Sequence, residues 1–120
     1  MIEWNPTDVL EFFGTDPQID EYETGYHYSI DKNGLHLEFS VFPLAGDVAV
    51  TINRQGGAIP VVDLKVLGSQ MLKRVNDKSG NFLEITPGIV FGGRFDTETT
   101  IPYGFRLLID PEIGIQLFKK

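Results

Sequence analysis

The dipeptide Asn33-Gly34 lies between two segments in which apolar and polar residues alternate, and this pattern constrains the fold more than any other feature of the sequence. Alternation with a period of two is typical of half-buried strands, and Asn-Gly between them predicts a two-residue hairpin turn. A longer loop would move one strand's apolar side chains to the opposite face. The tight turn instead places apolar opposite apolar: Ile30 with Leu37, Tyr28 with Phe39 and Tyr26 with Val41.

A short helix is predicted before the hairpin, starting after Asn5 and ending at Gly14. Asn5 has the side chain of an N-cap, Pro6 is favourable in the first helical turn, and glycine is favoured where a helix stops. Two helical turns are not stable alone, so the helix must dock on the sheet. Its apolar stripe consists of Val9, Phe12 and Phe13, widened by Leu10.

Further alternating segments follow, separated by turns rich in glycine, proline and asparagine. We expect strands at residues 48–52, 62–66, 82–86, 89–91, 105–109 and 115–118, and a polar loop at residues 96–100. Residues 71–75 fit both a strand and a helical turn. The aromatic residues expected in the core are Tyr26, Tyr28, Phe39, Phe82, Phe105 and Phe118. About eight strands after one helix predict a single domain over residues 1–120, of the α+β class and mainly antiparallel, forming a sandwich or open barrel.

The net charge of −7 comes entirely from the N-terminal quarter of the chain. Residues 1–31 contain eight acidic residues and no lysine or arginine, whereas residues 32–120 contain nine acidic and ten basic residues. Such asymmetry attracts a basic protein partner and repels nucleic acid, although it also serves solubility alone. The candidate binding residues all lie in the connection between helix and hairpin, residues 16–25, hereafter the acidic loop: Asp16, Asp20, Glu21 and Glu23.

Several kinds of chemistry are excluded by what the sequence lacks. Without cysteine there is no disulfide, thiolate zinc site or cysteine nucleophile. The phosphate-binding, dinucleotide-binding, zinc-protease and serine-hydrolase motifs are absent. We therefore expect a protein that is not an enzyme and has no catalytic residue, metal or cofactor. No long apolar run and no signal-like start are present, so we expect a cytoplasmic protein without membrane contact.

One cluster of potentially reactive side chains remains on the polar face of the hairpin. The predicted register places Asp31 opposite His36, with Glu38 two residues further along the same face. A carboxylate beside an imidazole raises the pKa of the ring, and His36 and Glu38 on one strand face could supply two metal ligands. Two ligands form a weak site, and His27 is too distant to complete it. The simpler interpretation is that this polar face of the hairpin is only exposed to solvent. The alternative function is a small-ligand-binding barrel or an enzyme that uses Asp31, His36 and Glu38.

The N-terminal layout resembles that of small immunity proteins of bacterial polymorphic toxin systems. The similarity covers residues 4–40 and rests on Trp4, the run from Val9 to Gly14, Pro17 and the following hairpin. Those proteins begin with a short amphipathic helix ending in Phe-Gly, followed by a proline three residues on and an antiparallel sheet; where many have His-Asp after the proline, Gln18-Ile19-Asp20 stands here. The resemblance implies a cytoplasmic, non-catalytic protein that occludes a toxin's active site.

Overall fold

A computed structural model describes residues 1–92 and 103–119 of the chain. The segment expected to form a polar loop, residues 96–100, lies outside the described residues. The described elements are α1 (Pro6–Phe13), a 3-10 turn (Glu21–Glu23) and ten strands: β1 (Gln18–Ile19), β2 (Tyr26–Lys32), β3 (Leu35–Phe42), β4 (Asp47–Arg54), β5 (Val62–Leu67), β6 (Leu72–Asp77), β7 (Gly80–Ile85), β8 (Val90–Gly92), β9 (Tyr103–Leu108) and β10 (Gly114–Lys119).

The described strands form two separate antiparallel sheets. One has six strands in the order β1-β2-β3-β4-β5-β8, and the other has four in the order β10-β9-β7-β6. Within the described parts of the chain neither sheet closes into a barrel. The predicted α+β class, with mainly antiparallel strands after one short helix, is confirmed. Strand β1 was not predicted. Of residues 71–75, which fitted two interpretations, residues 72–75 belong to β6, and Met71 forms an isolated bridge with Glu3.

The hairpin formed by β2 and β3 has the register that the sequence predicts. Tyr28 pairs with Phe39 and Ile30 with Leu37, and Asn33 and Gly34 form the turn with positive φ angles of 53° and 79°. Tyr28, Leu37, Phe39 and Val41 are buried on the inner face, and Tyr26 and Ile30 are partly buried there, because apolar positions of both strands point the same way.

Helix α1 begins and ends where the sequence indicates. The Asn5 side chain accepts hydrogen bonds from the backbone N–H groups of Thr7 and Asp8, and Gly14 ends the helix in a left-handed conformation. The Phe13 ring stacks on Tyr28 at a centroid distance of 4.9 Å, which fixes the helix to β2. Leu10 was expected to widen the buried face, but this is wrong: it remains 37% exposed at the helix edge.

One hydrophobic core unites α1 with both sheets. Its buried residues include Phe12 from the helix, Phe39 from the first sheet and Phe105 from the second. This common core is typical of two packed layers. The expectation that Phe82 and Phe118 also belong to it is wrong, because their rings flank the Arg106 guanidinium at 5.6 and 4.6 Å, outside the core cluster.

Candidate functional site

Hydrogen bonds within the acidic loop hold its tip in a fixed shape. The Asp20 N–H donates to the Gly25 carbonyl at 2.8 Å, and the Glu23 N–H donates to the Asp20 carbonyl at 2.9 Å. The Thr24 hydroxyl donates to the Glu21 carbonyl at 3.2 Å. These bonds bring Asp20, Glu21 and Glu23 together in one compact turn, whereas Asp16 lies on the other side of β1, four residues earlier.

Asp20 is also linked to the sheet through His27 on β2. The imidazole Nε2 lies 2.9 Å from the Asp20 carboxylate, and Nδ1 lies 2.8 Å from the Ser40 hydroxyl on β3. Strand β1 adds backbone pairing, with Gln18 opposite His27 and Ile19 opposite Tyr26. The loop is therefore attached to the hairpin at its start and at its tip.

The loop displays an aromatic side chain that the sequence analysis did not single out. Tyr22 is 88% exposed and has a φ of 60°, and Glu23 has a φ of 56°. Left-handed backbone costs a non-glycine residue roughly 1–2 kcal/mol. Strain of this kind is concentrated at binding sites, where it fixes the direction of a side chain. The sequence signal for Tyr22 was its position between two glutamates in a segment without basic residues.

Three of the four predicted binding residues have no ionic partner among the residues that the structure describes. Asp16, Glu21 and Glu23 are exposed and form no salt bridge there, and only Asp20 contacts a basic group, His27. By contrast, Glu11 on α1 lies 3.4 Å from the Arg74 guanidinium. The carboxylates of Asp16, Glu21 and Glu23 are thus available to an external cation.

An apolar groove lies beside the acidic loop, between α1 and the edge of the first sheet. It has a volume of about 330 Å³, and it is lined by exposed apolar residues together with one carboxylate. Its lining residues are Pro6, Thr7, Leu10, Asp16, Pro17, Ile19, Tyr26 and Tyr28. Tyr28 is 1% exposed, and its hydroxyl has no hydrogen-bond partner among the described residues. Burial, with a smaller effect of Tyr26, raises the pKa of Tyr28 to about 12.

The side chains of Asp31, His36 and Glu38 meet as predicted; we call them the His36 cluster. His36 Nδ1 lies 2.7 Å from the Asp31 carboxylate, and Nε2 lies 3.2 Å from that of Glu38. The bond to Asp31, followed by that to Glu38, raises the pKa of His36. With both ring nitrogens held by carboxylates, neither is free to abstract a proton or bind a metal in this arrangement.

The His36 cluster borders a polar depression of about 490 Å³ that also includes Thr51, Asn53 and the turn after β4. Within residues 1–92 and 103–119, no group of three or more histidine, aspartate and glutamate side chains is placed to hold a metal ion. In the same part of the chain, no helix is long and apolar enough to cross a membrane.

A comparison with solved structures finds a protein of similar architecture. A chain of the contact-dependent growth inhibition toxin–immunity protein complex from Klebsiella pneumoniae 342 superposes with a TM-score of 0.77, over 98% of this chain and 96% of that chain. The two chains share a fold. Their sequences are 16% identical, so the likeness is one of architecture. It agrees with the resemblance to immunity proteins seen in residues 4–40.

Other comparisons give no match: no family model fits the sequence, and no curated protein matches it significantly.

Proposed function

We propose that this chain is an immunity protein that binds a toxin of bacterial competition and blocks its activity. The observation that carries the proposal is the shared fold with a chain of a toxin–immunity protein complex, which extends over nearly the full length of both chains. The same proposal places the protein in the cytoplasm and makes it a binding protein without catalytic activity.

The sequence favours the immunity member of such a pair over the toxin. The layout of residues 4–40 resembles immunity proteins, and the common catalytic motifs are absent from the sequence. Both histidines are hydrogen-bonded at both ring nitrogens, His36 to Asp31 and Glu38 and His27 to Asp20 and Ser40. A net charge of −7 also suits a partner that carries a basic surface, as an enzyme acting on nucleic acid would.

We assign the contact with the toxin to the acidic loop. Its unpaired carboxylates attract lysine and arginine, its hydrogen bonds fix the tip before binding, and Tyr22 presents an aromatic side chain there. Preorganised loops lose less conformational entropy on binding, and tyrosine is enriched among the residues that contribute most to interfaces. The negative charge of the acidic loop would accelerate association with the toxin, and contact by Tyr22 would slow dissociation.

Co-expression tests the proposal. A toxin domain identified among the neighbouring genes is expressed in a laboratory host, alone or with the chain, and growth is recorded. The chain should restore growth and co-purify with the toxin domain. An inactive toxin variant controls for expression burden, and the chain with Phe39→Asp, which disrupts the core, controls for nonspecific rescue. Continued growth arrest with folded, soluble chain present would contradict the proposal, as would a gene neighbourhood without any toxin.

A further inference from the structure

The apolar groove beside the acidic loop is an exposed apolar surface on a strongly acidic region of the protein. Leu10 on α1 and Ile19 on β1 line it, and they are 37% and 48% exposed. The pairing of β1 with β2 places Ile19 opposite Tyr26 and leaves the Ile19 side chain exposed. Apolar surface of this kind costs free energy in water and is typical of a binding site.

The polar groups of the groove indicate what its occupant carries. Asp16 is its single charged lining residue, and it forms no salt bridge within the described residues. An occupant with cationic N–H donors would meet the Asp16 carboxylate, and it would approach through the negative field of Glu21 and Glu23.

We propose that the apolar groove receives a leucine- or phenylalanine-sized side chain from a lysine- or arginine-rich segment of a partner protein. The proposal deepens the proposed function by naming the chemistry of the partner segment, and it rests on that function only for the partner's identity. A volume of about 330 Å³ is at the small end of ligand pockets, which suits one or two side chains rather than a cofactor.

The acidic loop and the apolar groove would contribute to different steps of binding. Long-range attraction by the acidic loop affects the association rate, which depends on salt. Burial of an apolar side chain acts only at contact and therefore slows dissociation. Loss of the Leu10 and Ile19 side chains should consequently accelerate dissociation of a bound segment. The salt dependence of the association rate should not change.

Synthetic peptides test this without any toxin. The first probe is a pentapeptide with leucine between two pairs of lysines; the second has serine in place of leucine, and the third has glutamates in place of the lysines. Each is titrated into the full chain, and the methyl NMR signals of Leu10 and Ile19 are followed. The leucine–lysine peptide should shift both signals and bind about fivefold or more tighter than either of the others.

Variants of the chain locate the binding. Leu10 and Ile19 are exposed, so Leu10→Ser with Ile19→Thr should leave the fold intact and weaken the leucine–lysine peptide about fivefold. The matched control, Leu117→Ser with Val61→Thr, alters two apolar residues outside the groove that are 52% and 49% exposed, and it should bind normally.

Three results would overturn the inference: equal binding of the leucine and serine peptides, equal binding of the lysine and glutamate peptides, or signal shifts confined to other residues. The outcome is independent of the growth test. Peptide binding without toxin neutralisation would refute the proposed function but support the inference that the groove binds a side chain. Neutralisation without peptide binding would refute only the inference about the groove.

Discussion

The acidic loop and the His36 cluster both expose carboxylates, but they differ in what those carboxylates contact. In the His36 cluster, Asp31 and Glu38 hold the two nitrogens of one imidazole. In the acidic loop, Glu21 and Glu23 contact no basic group among the described residues. Charges that are paired within a protein contribute to its own stability, whereas unpaired charges remain available to a partner.

The two regions also differ in which residues adopt positive φ angles. In the hairpin that carries the His36 cluster, positive φ angles occur at Asn33 and Gly34, the residues best suited to them. In the acidic loop they occur at Tyr22 and Glu23, which are poorly suited. Residues that are poorly suited to their local backbone conformation occur most often at functional sites. This contrast favours the loop over the hairpin face as the binding region.

The largest effect is expected from removing the charge of the acidic loop. Changing Asp16, Asp20, Glu21 and Glu23 to their amides should slow association with the toxin domain about tenfold or more at low salt, and less at high salt where charges are screened. Stopped-flow mixing or surface-based kinetics at two salt concentrations measures this effect.

The matched control has the same charge change elsewhere, with amides at Asp31, Glu38, Asp77 and Glu112. These residues are also exposed. Association should then stay within about threefold of the unmodified rate, since steering depends on charges near the contact. Equal slowing by both variants would show that net charge, and not the acidic loop, governs the encounter.

Tyr22→Ala should increase the dissociation rate of the toxin complex about tenfold, because an exposed aromatic side chain fixed at a loop tip is typical of an interface anchor. The free energy of unfolding should hardly change, since Tyr22 is 88% exposed. Leu44→Ala, at a position outside the loop that is 79% exposed, is the control. Unchanged dissociation for Tyr22→Ala would remove this residue from the interface.

Gly34→Val should lower the free energy of unfolding by more than about 1 kcal/mol, because a β-branched residue resists the φ of 79° that the hairpin turn requires. A Cβ at Gly34 would meet no atom within 4 Å, so the cost is one of backbone conformation. Gly114 has equal space and no positive φ, and Gly114→Val should cost little. Denaturant titrations compare the two variants, and equal stabilities would refute the turn assignment.

The smallest effect concerns the His36 cluster. Its hydrogen bonds to Asp31 and Glu38 raise the pKa of His36 above its unfolded value, so the stabilisation is complete below about pH 6.5 and is lost as pH rises through the folded pKa. His36→Gln should therefore lower the free energy of unfolding more at about pH 5.5 than at about pH 8.5. The difference should be about 0.5 kcal/mol or less, since these side chains are partly exposed. A larger penalty at the higher pH would contradict the pairing.

Local signals made the hairpin and the helix ends predictable from the sequence. Asn33-Gly34 and strict alternation determine one register, and that register places Asp31 opposite His36. Asn5 and Gly14 mark the helix ends because each satisfies a specific backbone requirement there.

Features set by distant contacts were not predictable in the same way. Strand β1 has two exposed residues, so no alternation reveals it; its pairing with His27 and Tyr26 depends on the path of the whole loop. The groove requires Leu10 and Ile19 to approach from separate elements. Single-sequence patterns do not specify such contacts between elements.

NMR mapping of the toxin complex tests most directly whether the acidic loop is the binding region. Isotope-labelled chain is titrated with the unlabelled toxin domain, and backbone amide signals are compared before and after binding. The largest changes in the amide signals should occur in residues 16–25 and at Leu10, while the signals of Asp31, His36 and Glu38 should not shift. Changes centred on the His36 cluster, with the acidic loop unaffected, would contradict the assignment.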